Sequence, residues 1–200
     1  MPDLDFYFSI DSRYSYLAMT QLPALERDFG LHINWRPLAL FKLLEARGKN
    51  PFGGGGQSGQ YDAAYRGIDV TRWAEFYGVP LISPDWDIGD WQRINLSAVA
   101  AATLHCCPAY VKALFDAVMV RGETPRDDAA MARLATGAGL DGKAIAAGID
   151  SVATTDLHDA TIKAAMAAGV FGVPSFVLEG KMFWGNDRLA LLRHELGKRR

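Results

Sequence analysis

The residues of this 200-residue chain best suited to chemistry are two hydroxyls, Ser12 and Ser15, placed where the sequence changes character. Residues 5–10, Asp-Phe-Tyr-Phe-Ser-Ile, are a β-rich run, and residues 11–18 turn from it into a helical pattern. Ser12 and Ser15 therefore flank a helix start in an S-x-x-S spacing. A helix start carries spare N–H groups and partial positive charge. A hydroxyl there has two uses. It can cap the helix by accepting one of those N–H groups, which is the ordinary role of serine at this position. It can also help the same N–H groups hold an anion, and a thiolate would be favoured against such an end. Serine carries no sulfur, so the S-x-x-S junction cannot do dithiol redox chemistry, and any thiolate held there would come from elsewhere.

A second stretch offers a backbone rather than a side chain. In Gly169-Val-Phe-Gly-Val-Pro-Ser-Phe-Val-Leu178, residues 175–178 read as a short buried strand, with Glu179-Gly180 as a tight turn and residues 182–184 as the returning strand. Pro174 stands at the mouth of the first strand, where its missing N–H costs no ladder bond. Val173 before it keeps its N–H and C=O available to an extended ligand backbone. The plain alternative is a core hairpin with a stiff start. Asn186 and Asp187 fall at the beginning of the last helical segment, where capping is their default role.

Other chemistries are disfavoured by composition. A net charge of −2 and no basic stripe give no electrostatic case for nucleic acid. Cys106 and Cys107 are neighbours, a spacing that disfavours a mutual disulfide, so free thiols and a cytoplasmic setting are expected. His105 beside them does not make a metal set. Gly53–Gly56 lacks the frame of a phosphate loop and reads as a lid or connector. The opening residues lack a signal-peptide pattern, and apolar runs are broken well short of a membrane span, so no membrane partner is expected.

The elements that must position these groups follow from periodicity. Tyr16, Met19, Leu22, Leu25 and Phe29 recur at helical spacing up to Gly30, with Pro23 expected to kink the helix. Residues 31–35 alternate as a second strand, ended by Arg36-Pro37, which makes a strand–helix–strand start. A short helix over 38–45, a helix over 68–77 closed by Gly78, an irregular link around Trp86 and Trp91, and an alanine-rich helical region over 95–168 complete the middle. Asp69 and Arg72, three apart, read as a structural pair. The aromatics Trp73, Phe76, Trp86, Trp91, Phe171 and Trp184 are core by default, some of them free to line an apolar pocket. Arg13 reads as a solvated cation, with pairing to a ligand carboxylate as the alternative.

Phe6-Tyr-Phe8, Ser12-x-Tyr-Ser-Tyr-Leu-Ala18, Asp69-x-x-Arg72-Trp73 and Gly172-Val-Pro-Ser-Phe176 through Met182-Phe-Trp-Gly-Asn-Asp-Arg188 occur in that order. Together they resemble the 2-hydroxychromene-2-carboxylate isomerases, relatives of kappa-class glutathione transferases in the DsbA-like thioredoxin superfamily. The resemblance implies an α/β thioredoxin-like fold with a large helical insertion after the second strand: a discontinuous domain over 1–37 and 156–200, and an inserted helical domain over 38–155. It implies a cis bond at Val173–Pro174 opposite Ser12, glutathione as cofactor, a small aromatic carboxylate as substrate, and a homodimer. Ser12 would hold and activate the glutathione sulfur, Val173 and Pro174 would pair with its cysteinyl backbone, Asn186 and Asp187 would hold its γ-glutamyl end, and Asn50 would lie near the site. The implied reaction is isomerisation by reversible thiolate addition, bond rotation and elimination. A kappa-like transferase or peroxidase, and an idle thioredoxin-like peptide-binding module, are the alternatives. Three positions depart from the family pattern: Arg13 stands where Pro is usual, Ser9 where Asp is usual, and Asp62 near a usual basic residue.

Overall fold

The computed structural model describes residues 3–48, 62–86 and 90–198. The chain opens with β1 (Asp3–Phe8), α1 (Arg13–Phe29) and β2 (His32–Pro37). Then α2 (Leu40–Ala46), α3 (Ala63–Tyr77), α4 (Trp91–Thr103) and α5 (Cys107–Phe115) follow, the last running into a π-helical turn over Asp116–Val120. Next come α6 (Asp128–Gly137), α7 (Gly142–Gly148) and α8 (Val152–Ala167). The chain closes with the hairpin β3 (Ser175–Leu178) and β4 (Lys181–Trp184), a 3₁₀ turn over Asn186–Arg188, and α9 (Leu189–Gly197). This is a thioredoxin-like α/β fold with a helical insertion after its second strand.

The sheet runs in the order β2-β1-β3-β4, with β1 parallel to β2 and antiparallel to β3. β2 extends two residues beyond the sequence expectation: Arg36 and Pro37 pair with Tyr7 and Phe8. Pro37 is tolerated because β2 is an edge strand, where a missing N–H can face away from the ladder. Alternation along β1 splits the side chains between two faces. Leu4, Phe6 and Phe8 enter one core, while Tyr7 enters another with Leu38, Leu43, Ile162 and Val177. Phe6 is the hub of the first, stacked on Phe8 at 4.9 Å and on Phe176 at 5.2 Å, with Trp35 edge-on at 5.6 Å.

The helices are set by their ends. Ser12, Asp62, Asp90, Asp127, Asp141 and Ser151 each accept the N–H three residues on, capping α1, α3, α4, α6, α7 and α8. Gly30 and Gly78 close α1 and α3 in the left-handed region. α1 remains one helix across Pro23. α3 begins five residues earlier than apolar periodicity indicates, because the Asp62 cap, bonded to Tyr65 N at 2.8 Å, recruits a polar first turn. Among the described residues no helix is long and apolar enough to cross a membrane, and no cluster of metal-ligating side chains forms.

Candidate functional site

The link between β1 and α1 is fixed by side chains from α4. Asn95, 2 % exposed, accepts the Ile10 N–H at 2.7 Å and donates to Asp11 Oδ1 and the Trp91 carbonyl, each at 2.9 Å. Ser12 N donates to the Ser9 carbonyl at 3.3 Å, which turns the chain into the helix. Ser12 Oγ then accepts the Ser15 N–H at 3.1 Å, so the capping role is present. That bond uses an oxygen lone pair and leaves the hydroxyl proton available for donation. Ser9 Oγ and Ser15 Oγ are fully buried and have no hydrogen-bond partner among the described residues.

The hairpin builds the second wall. Val173–Pro174 is cis, as expected. Ser175 Oγ donates to the Gly172 carbonyl at 2.8 Å, and Gly185 N donates to the Pro174 carbonyl at 2.9 Å. These two bonds pin the segment on either side of Val173, whose own N–H and C=O have no hydrogen bond among the described residues. Two glycines are required by close approach. A Cβ at Gly172 would lie 2.8 Å from Trp184 Nε1. One at Gly185, which adopts φ +102°, would collide with Asp187 Oδ1. A Cβ at Gly172 would displace Trp184, and one at Gly185 would displace Asp187.

Asn186 is 3 % exposed, with Nδ2 lacking a partner among the described residues, while its carbonyl accepts Tyr77 Oη–H at 3.2 Å. Asp187 Oδ2 lies 2.7 Å from Arg188 Nη1. Neither side chain caps a helix, because the chain enters α9 through a 3₁₀ turn that has no side-chain cap. Their expected default role is therefore not the one they play.

Val173, Pro174, Asn186 and Asp187 share one cleft of about 340 Å³, closed on the other side by Tyr14, Arg66, Asp69 and Trp73. Ser12 is not on its wall; the first turn of α1 reaches the cleft through Tyr14, two residues later. Asn50 lies outside the described residues. Asp69 does not pair with Arg72, as the spacing suggested, but accepts Tyr14 Oη–H at 2.8 Å. Burial first, and then the Asp69 carboxylate, push the Tyr14 phenol up, so it is a neutral donor at physiological pH. Tyr14 and Arg66 were not singled out as site residues from sequence. The partner of Tyr14 lies on another helix, and the only available signal was the Asp69-Arg72 segment itself.

A larger groove, of about 730 Å³, lies between α5 and α6. Its Lys112 and Arg121 are paired with Asp116 and Glu123, and Arg133 is the one cation on its wall without a pair among the described residues.

The model of the DSBA-like thioredoxin domain matches residues 3–197. The chain is 33 % identical over 195 residues to the 2-hydroxychromene-2-carboxylate isomerase of Pseudomonas putida, covering 98 % of this chain and 94 % of that protein. It is 32 % identical over 194 residues to the enzyme of the same name from Sphingobium xenophagum, covering 96 % and 97 %. A solved structure of 2-hydroxychromene-2-carboxylate isomerase superposes with a TM-score of 0.83 at 32 % identity, covering 98 % of this chain and 95 % of that one.

Proposed function

The chain belongs to the DsbA-like thioredoxin family and groups there with the 2-hydroxychromene-2-carboxylate isomerases, and from that membership we propose that it is a glutathione-dependent isomerase of small aromatic carboxylates. The observation that carries the reading is the set of uncommitted polar groups in one cleft, with the Ser12 hydroxyl two residues from Tyr14 on its wall. Asn186 Nδ2 is buried and unpartnered, the Val173 backbone is unpaired, and the Ser12 hydroxyl proton is free to donate. Such a set suits an extended, zwitterionic peptide carrying a thiol. Bound glutathione would supply a thiolate that adds reversibly to a conjugated substrate, permits rotation about the bond made single, and departs unchanged.

Each residue has a definite task in that reading. Ser12 donates its hydroxyl proton toward the sulfur, and the N-terminal dipole of α1 favours the same negative charge. The Val173 N–H and C=O align the cysteinyl backbone as an added strand would. Asp187 accepts the γ-glutamyl ammonium, and Asn186 Nδ2 donates to the carboxylate beside it. Asn50 is proposed as a further polar contact, and a homodimer as the assembly. Tyr14, locked by Asp69, presents a fixed apolar ring on the opposite wall.

Two measurements test the proposal. Glutathione at about 100 times its dissociation constant should stabilise the protein by about 2.7 kcal/mol. Free thiol should remain constant while 2-hydroxychromene-2-carboxylate is isomerised. Stoichiometric loss of thiol would mark a transferase or peroxidase instead, and no thermal response to glutathione would remove the cofactor from the mechanism.

A further inference from the structure

Arg13 is not the solvated cation that the sequence suggests. It is half-buried at the first position of α1, directly after Ser12. Its Nη1 donates to Ser83 Oγ at 3.0 Å, and its guanidinium carbon sits 5.8 Å from the centroid of the Trp86 ring. Trp86 is itself held, because Trp91 Nε1 donates to its carbonyl at 3.0 Å and the two rings lie 5.3 Å apart. Arg27, Arg36, Arg93, Arg121, Arg188 and Arg193 all pair with carboxylates. Arg13 has no such pair among the described residues, and it differs from Arg72, Arg126 and Arg133, which lack one too, in being partly buried. Burial first, and in smaller part the Arg66 guanidinium nearby, lower its pKa from the ordinary value, with Tyr14 opposing them.

A guanidinium has five N–H donors, and the Ser83 bond uses one. The remaining fork is planar and matches a carboxylate with two parallel bonds, a fit that a point-charge ammonium lacks. The Trp86 ring, with its centroid 5.8 Å from the guanidinium carbon, attracts the cation and restrains it before any ligand arrives. A partly dehydrated cation without a counter-ion among the described residues stands one residue from Ser12 in the chain, off the wall of the Val173 cleft, and is available to an anion bound between the two. We propose that Arg13 is a specificity-determining residue that reads a carboxylate on the substrate. This rests on the isomerase reading only for placing the substrate at Ser12.

The rival role is a strap that tethers the segment around Ser83 and Trp86 to α1. Discrimination between an acid and its ester separates the two, since a strap treats both alike. Chromone-2-carboxylate and its methyl ester serve as probes, with binding followed by tryptophan fluorescence. The wild type should favour the acid, and Arg13→Gln should weaken the acid by about 10- to 100-fold while leaving the ester unchanged. Arg13→Lys should fall between them, keeping the charge but losing the fork. Equal loss of acid and ester, or no loss of the acid, would overturn the proposal. If Arg13→Gln does not fold, Arg13→Lys decides: selective weakening of the acid with the ester unchanged supports the proposal, and equal loss of both or no loss of the acid overturns it. Thermal response to glutathione is scored in the same samples. Its absence beside intact acid-over-ester preference would sink the isomerase reading and leave the role of Arg13 standing.

Discussion

Ser12 caps α1 through its oxygen, and the second duty proposed for it, donation to a thiolate, can be separated from the cap by measurement. As an N-cap it should contribute about 0.5–2 kcal/mol to stability, through its bond from Ser15 N. As a donor to an anionic sulfur it should contribute far more to rate, because removing one preorganised donor costs about 10²–10³-fold. Ser12→Ala is therefore expected to lower Tm modestly, cut isomerisation by that order, and raise the apparent pKa of bound glutathione read by ultraviolet absorbance. Ser15→Ala should change rate much less; its Oγ is buried without a partner, and its backbone supplies the cap bond either way. A thiolate titration and rate unmoved by Ser12→Ala would reduce Ser12 to a cap. Asp187 gives a second test at this scale. It caps no helix, so Asp187→Asn should weaken glutathione binding by calorimetry with little change in Tm. A large loss of stability with unchanged affinity would count against its role. Ser12 was legible in sequence because its setting is local: a strand ends and a helix starts within four residues. Its supporting contacts were not. Asn95 and Asp11 are 84 residues apart, Arg13 and Ser83 are 70 apart, and Tyr14 and Asp69 are 55 apart. No periodicity links such pairs, and only the fold supplies the contact.

Between elements, two side chains do what hydrophobic packing alone cannot. Arg93 on α4 reaches Asp128 at the start of α6, with contacts of 2.5 and 2.6 Å, and Asp150 ahead of α8, at 2.9 and 2.8 Å. Both carboxylates, and the hydrogen bonds they accept, hold the guanidinium protonated well above its usual range. Arg93→Lys loses both bidentate geometries and should lower Tm, with the deficit shrinking in high salt because the pairs are partly exposed. An unchanged Tm at low salt would make this network ornamental to stability. His158 on α8 ties the start of α2 in a pH-dependent way, since its Nε2 accepts the Ala39 N–H at 3.1 Å and must be unprotonated to do so. Burial lowers the His158 pKa, with Lys42 acting in the same direction and Asp159 opposing. In the unfolded chain the ring titrates near about 6.5. Between that value and the depressed folded one, the unfolded state binds more protons, so stability rises with pH through this window. The contribution is complete above the unfolded pKa and is lost on acidification. Urea titrations from pH 7 to 5 should show the slope, and His158→Gln, which keeps an acceptor, should flatten it. Helix positions in this region were readable from alanine content and Asp or Ser caps. The ties between helices were not, because an arginine in a polar first turn looks like any solvated arginine.

Across the whole molecule, the sheet and the inserted helices share a core. One continuous cluster holds Phe6 and Phe176 from the sheet, Leu17 and Leu22 from α1, and Tyr110, Met131 and Ile149 from the inserted segment. Sequence conveyed the order of elements and the hairpin with its cis-proline, but divided the chain into an insert over 38–155 and a remainder. Apolar residues in the insert reveal that a core exists, not which surface completes it. The continuity predicts a single cooperative transition, for neither part can lose its packing without exposing the other. Met131 lies on α6, is 1 % exposed, and belongs to that cluster. Met131→Ala should cost about 2–5 kcal/mol through lost transfer energy and the cavity left behind. At about 2–4 °C per kcal/mol for a chain of this size, Tm should fall by several degrees or more. The decisive feature is coincidence of probes. Circular dichroism follows mostly the helices, and the fluorescence of Trp35 and Trp184 follows the sheet; the other tryptophans can be replaced by Phe in a common background. Both signals should shift to the same new midpoint in the Met131→Ala protein. A helical signal that moves to lower temperature while the sheet signal stays would mean that the insert unfolds by itself. In that case the shared cluster would be a contact between two stability units rather than one core.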